Sequence, residues 1–149
     1  MKNLKEDLVF ACQEKLKNQL NFLQEQLLEL KNANSGETKS TAGDKHETGR
    51  AMIHLEQEKL YSQLGVAQKQ DSFFNSIDFK PKSSISIGSL VKTNSGFYLI
   101  AASLGIIQAQ GQTVFVVSAV APIGQLLLNK TIGDEVLFNG KTIKILEIL

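Results

Sequence analysis

The sequence predicts an α+β protein: an N-terminal antiparallel coiled-coil helical hairpin, then a small antiparallel β-sheet domain with one short helix. Three observations predict it. Apolar residues recur at helical spacing through residues 4–74. From residue 89 onward the apolar runs are short and separated by Asn-Ser-Gly, Gln-Gly-Gln and Asn-Gly turn signals. Between the two regimes, Lys80-Pro81-Lys82-Ser83-Ser84 interrupts both patterns. The expected domains are a hairpin over 1–76 with its tip at 40–50, a linker over 77–84, and a C-terminal domain over 85–149.

The first helix is read from Leu4, Leu8, Cys12, Leu16, Leu20, Leu23, Leu27 and Leu30, one stripe whose later steps approach a heptad seam. No Gly or Pro precedes Asn34, and Asn34-Ser35-Gly36 is the expected end. The polar stretch to Gly43 reads as a loop. A second stripe follows at Ile53, Leu60, Leu64, Ala67 and Phe74, with Met52 and Leu55 widening the face. Gly65 is its weak point, at a cost of about 1 kcal/mol relative to Ala. The link is too short and polar to be a spacer, which favours an intrachain hairpin over two chains pairing. Phe73, Phe74, Ile77 and Phe79 are expected to dock this arm onto the body.

In the C-terminal part, Ser89 to Thr93 and Phe97 to Ala102 flank Asn94-Ser95-Gly96. Leu104 to Ala109 and Thr113 to Val120 flank Gln110-Gly111-Gln112, and Asp134 to Phe138 and Lys141 to Ile148 flank Asn139-Gly140. Pro122 sits at the first turn of a short helix candidate, Ala121 to Leu128.

Formal net charge is +1. Residues 1–75 carry ten Lys/Arg against eleven Asp/Glu, and residues 76–149 carry six against four. This balance does not argue for a nucleic-acid binder, and any such contact is expected to be indirect or limited to a few residues rather than driven by a broad basic face. One cysteine, Cys12, excludes an internal disulfide framework and a multi-Cys zinc site. Without a secretory leader pattern or an apolar run of membrane-spanning length, the expectation is a soluble, cytoplasmic monomer that meets no membrane.

The chemistry concentrates at the tip. Asp44 and Glu47 are three residues apart, on one face of a helix start. Two such carboxylates make a half-site for Mg²⁺, to be completed by ligands and phosphate from another molecule. The same Asp-x-x-Glu spacing is also a capping box with Asp44 at N-cap. His46 is a third-ligand candidate but reads more simply as a solvated surface residue, and His54 shows no ligand spacing with it. Lys39, Lys45 and Arg50 surround the acidic pair, either as solubilising charges or as contacts to an acidic or phosphate-lined surface. Gly36-Glu37-Thr38-Lys39-Ser40 lacks the glycine before Lys39 and follows a helix, which rules out a phosphate-binding loop. Cys12 falls on the apolar stripe and reads as core.

The order of elements, the tip Gly43-Asp44-Lys45-His46-Glu47, and the run from Ala121-Pro122-Ile123-Gly124 through Asn129-Lys130-Thr131-Ile132-Gly133-Asp134-Glu135-Val136 resemble the Gre-type transcript cleavage factors of bacterial RNA polymerase. The tip is similar to the family's Gly-Asp-x-x-Glu. The resemblance implies an FKBP-like C-terminal domain and a hairpin that enters the polymerase secondary channel. It further implies that Asp44 and Glu47 help hold Mg²⁺ jointly with RNA polymerase, which then cleaves backtracked RNA. Contact with the nascent RNA 3′ end and elongation-complex DNA would be indirect, and the factor would not itself be an enzyme. One departure stands out: where the family continues Asn-Ala-Glu-Tyr, this chain has Thr48-Gly49-Arg50-Ala51. A channel-binding regulator that does not stimulate cleavage is therefore the alternative. More distant ones are a coiled-coil dimeriser and a prolyl isomerase, the latter disfavoured because it needs an aromatic-lined pocket and residues 85–149 contain only Phe97, Tyr98, Phe115 and Phe138.

Overall fold

The computed structural model describes the backbone of residues 3–37 and 43–149, and the side chains of residues 3–33 and 48–149. Helix α1 spans Leu4–Glu37 and α2 spans Gly43–Asn75. Strands β1 (Leu90–Thr93), β2 (Gly96–Ala101), β3 (Gly105–Ala109) and β4 (Gln112–Ser118) follow. Helix α3 (Pro122–Leu127) precedes β5 (Glu135–Phe138) and β6 (Lys141–Ile148). The protein is α+β, a helical hairpin followed by a six-stranded sheet with one short helix. It divides into two compact units, residues 15–71 and residues 1–14 with 72–149.

In the hairpin unit, Leu23, Leu60 and Ala67 are buried, and Leu20, Leu27, Leu30 and Leu64 pack around them. These are the residues of the two predicted stripes. Helix α1 continues through Asn34-Ser35-Gly36 to Glu37, beyond its expected end. Asn, Ser and Gly each cost no more than about 1 kcal/mol in a helix, which weakens a long helix without stopping it. The expected loop falls on residues 38–42, outside the described residues. Met52 and Leu55 do not widen the buried face: they are 66% and 67% exposed. At about 100° per residue they lie well off the line through Leu60 and Ala67.

The sheet order is β3-β4-β2-β1-β6-β5. All three expected hairpins form, β1 with β2, β3 with β4, and β5 with β6, each antiparallel. The sheet is nevertheless mixed, not antiparallel throughout, because β2 and β4 run parallel, from Phe97 beside Val114 to Ala101 beside Ser118. Turn signals encode only local antiparallel pairs. The short link over residues 102–104 reverses the chain but leaves a gap one strand wide, which β4 fills in the direction of β2. Strand β2 is a near-continuous apolar run, as befits a strand buried on both faces.

On one face Val91, Tyr98, Ile100, Ile143 and Ile145 pack with Ile123 and Leu127 of α3. Leu90, Leu99, Val114 and Val116, fully buried, alternate with these and belong to the other face. The helix ends in the same unit contribute Leu8, Cys12 and Phe74, equally buried, and Phe74 meets Phe79 at 5.3 Å between ring centroids. Phe73, expected to dock with them, is 43% exposed. Pro122 opens α3, preceded by Ala121 in extended conformation. A Cβ at Gly124 would lie 2.1 Å from the Ser118 carbonyl oxygen, so only glycine lets α3 pack this close to the end of β4.

Candidate functional site

The backbone of Asp44 and Glu47 lies in the first turns of α2. The helix begins at Gly43, so Asp44 falls inside the first turn and not at the N-cap position that a capping box requires. Positions 44 and 47 are about 60° apart around the helix axis, and positions 53 and 60 of the core stripe lie roughly half a turn away. The side chains of Asp44, Lys45, His46 and Glu47 lie outside the described residues, as does Lys39 altogether. Arg50 is described and half-buried. Among the described residues no group of three or more His, Cys, Asp or Glu is placed to hold a metal ion. His54 is exposed, and Cys12 is fully buried in the core. No helix among the described residues is long and apolar enough to cross a membrane.

Along its two helices the hairpin unit exposes Phe22, Leu28, Met52, Leu55, Tyr61 and Val66, each by more than half. A shallow groove between the helices runs past Gln19, Phe22, Ser62 and Val66. Apolar side chains outside the core stripe are not signalled by periodicity, and only their positions off the stripe mark them.

The sheet unit carries two features that sequence reasoning missed. Lys5 is 9% exposed, and its ammonium donates to the Phe79 carbonyl oxygen and, at 2.8 Å, to that of Leu149. Burial holds its pKa below the ordinary 10.5, with Asp78 acting in the opposite direction. A signal was available: Lys5, Leu8 and Cys12 are spaced three and four apart, which puts Lys5 on the apolar stripe. Asp78 itself sits below the usual carboxylate range, held there first by the backbone N–H of Lys80 and then by Lys82.

The second feature is a cavity of about 400 Å³ on the α3 side of the sheet. Tyr98 and Phe115 stack in it with centroids 5.3 Å apart, and Phe138 closes one side. Burial raises the pKa of the Tyr98 phenol. Three of the four aromatic residues of this part of the chain thus converge, although they are far apart in sequence. Only the sheet order brings β2, β4 and β5 to a common face.

No protein-family model matches this sequence, and no curated protein matches it. Among solved structures the chain is similar to the crystal structure of GreA factor homolog 1 (Gfh1) of Thermus thermophilus. Identity is 16% over 92% of this chain and 94% of that one, with a TM-score of 0.39. It is also similar to a structure of the transcription factor Gfh1, at 16% identity over 93% of each chain and a TM-score of 0.36.

Proposed function

We propose that this protein is a transcription elongation factor that binds RNA polymerase through the secondary channel and stimulates cleavage of backtracked RNA. One observation carries the proposal. Asp44 and Glu47 stand one turn apart at the very start of α2, where the chain passes between helices of 34 and 33 residues. A hairpin of this kind can deliver two acids into a narrow channel. In this reading the sheet unit is FKBP-like and remains at the channel mouth, and the protein acts as a cytoplasmic monomer.

Two carboxylates are an incomplete ligand set for Mg²⁺, which favours six oxygens and retains waters. They fit a site whose other ligands come from the polymerase and whose metal is held jointly. When bound there, the metal supplies an acidified water and charge neutralisation at the phosphate. Asp44 and Glu47 would hold and orient that ion, and Lys39, Lys45 and Arg50 would meet the acidic or phosphate-lined channel wall. Contact with the nascent RNA 3′ end and with DNA would follow from the polymerase's own architecture.

A second reading is favoured by Thr48-Gly49-Arg50-Ala51, which puts an arginine where an additional acid and an aromatic are expected. The protein would then occupy the channel and regulate transcription without promoting cleavage. Stalled elongation complexes separate the two. The first reading expects shortened RNA with the parent protein, a loss of about a hundredfold in cleavage rate with Asp44→Ala, and unchanged co-sedimentation with core polymerase. Binding without shortening establishes the second reading, and no binding to core polymerase removes both.

A further inference from the structure

We propose that the outer edge of β3 is a self-association surface, on which β3 of a second copy of this chain pairs antiparallel and joins the two sheets into one. The inference concerns the sheet unit and does not rest on the polymerase reading. Strand β3 stands at one end of the sheet order and pairs with β4 on one side only. Sheets ordinarily guard such an edge with charge, proline or a bulge. None of these is present in Gly105-Ile106-Ile107-Gln108-Ala109. Its register with β4 runs unbroken from Gly105 beside Val116 to Ala109 beside Gln112. No Asp, Glu, Lys, Arg or His occurs anywhere between Lys92 and Lys130, so the neighbouring strands lend β3 no charge either. The opposite edge is guarded: β5 has four residues, begins at Glu135 and follows Asp134.

The open side of β3 is complementary to itself. The Gln110-Gly111 turn, both residues at positive φ, closes on the pair Ala109 and Gln112. Bonded and non-bonded pairs alternate along an antiparallel ladder, so Ala109 and Ile107 bond to β4 while the N–H and C=O of Ile106 and Gln108 point away from it. Among the described residues, no backbone hydrogen bond outside the strand pairings reaches Ile106 or Gln108. Ile106 is 58% exposed, and Gln108 is exposed. A two-fold axis through Ile107 sets Ile106 of each copy opposite Gln108 of the other, and every outward backbone group of both residues is then bonded. A foreign strand would bring its own charges to an edge that offers them no counter-ion, whereas a second copy brings none. Five residues a side fall short of the roughly 20–30 of a standard interface, so the pairing is weak and leaves a monomer at micromolar concentration.

The test uses the full chain, by sedimentation equilibrium and by amide hydrogen exchange from about 10 µM to about 2 mM. A monomer–dimer equilibrium with a dissociation constant near about 0.5 mM is expected. The Ile106 and Gln108 amides should gain at least about threefold protection across that range, while the Ile107 amide, already bonded to β4, should not change. Ile106→Glu and Gln108→Lys, both on the exposed edge, should each weaken dimerisation at least about fivefold. The double variant sets Glu against Lys across the axis in both pairs and should restore the dimer to within about twofold of the parent. Circular dichroism of each variant should match the parent. A chain that stays monomeric to 2 mM, a dimer that protects other amides instead, or a dimer indifferent to both single substitutions would each overturn the proposal; so would a double variant no better than the single ones.

Discussion

Replacing Lys5 by Met tests how the first turn of α1 is held within the sheet unit. Met retains most of the aliphatic stem but removes both hydrogen bonds, leaving the Phe79 and Leu149 carbonyl oxygens without this donor. A hydrogen bond from a charged group contributes about 1.5–3 kcal/mol, and the cost of desolvating the ammonium offsets part of the pair's total. The expected net loss is about 2 kcal/mol at neutral pH, measured as a lower urea midpoint with unchanged slope. The pH dependence supplies a second arm. The folded-state pKa of Lys5 is lowered from 10.5, so the folded chain releases this proton before the unfolded chain does. Between the lowered value and 10.5 the unfolded chain binds more protons, and the parent must therefore gain stability relative to the variant as pH rises. A neutral amine still donates two hydrogen bonds, so the clasp survives the titration. Two outcomes refute this account: a variant as stable as the parent, or a difference that stays flat between about pH 8 and 11.

Two further substitutions report on separate parts of the fold. Gly65 lies inside α2, and a Cβ there would meet nothing within 4 Å, so Gly65→Ala should stabilise the protein by about 0.5–1 kcal/mol in the same urea assay. The Asp134 carboxylate accepts from the Thr131 backbone N–H at 2.8 Å and from its hydroxyl, which lower its pKa from 3.8, aided by Lys130. Its contribution is complete above 3.8 and fades as pH falls through the lowered folded-state value; Asp134→Asn should therefore flatten the acid limb of the stability profile.

Local signals were the legible ones. Stripes three and four residues apart located both helices, and Leu23, Leu60 and Ala67 of those stripes form the hairpin's buried seam. Asn94-Ser95-Gly96, Gln110-Gly111 and Asn139-Gly140 marked the three strand hairpins, and Gln110 and Asn139 adopt the positive φ that such turns require. What stayed hidden depends on contacts distant in sequence. The parallel pairing of Phe97–Ala101 with Val114–Ser118 has no turn residue to announce it. For the same reason the meeting of Tyr98, Phe115 and Phe138 could not be read from their spacing. Lys5 is not marked by its residue type, because a lysine is ordinarily solvated, and only its register with Leu8 and Cys12 argues otherwise.

The two sequence motifs that resemble the transcript cleavage factors carry different weight. In the segment from Ala121 to Val136, Pro122 opens α3 and Gly124 clears the Ser118 carbonyl. Gly133 adopts a φ of +93°, and Asp134 closes the turn onto Thr131. Each of these residues is required by the fold, so this segment would persist in a protein of the same architecture with any function. The tip differs in kind. Helix α2 already begins at Gly43, and a helix of this length does not depend on a carboxylate at both positions 44 and 47. The proposed reading assigns the pair to chemistry, and the functional proposal accordingly stands or falls on Asp44 and Glu47. In the proposed reading Arg50 meets the channel wall, so Arg50→Glu should weaken co-sedimentation with core polymerase and lower cleavage with it; unchanged binding would remove Arg50 from the contact surface.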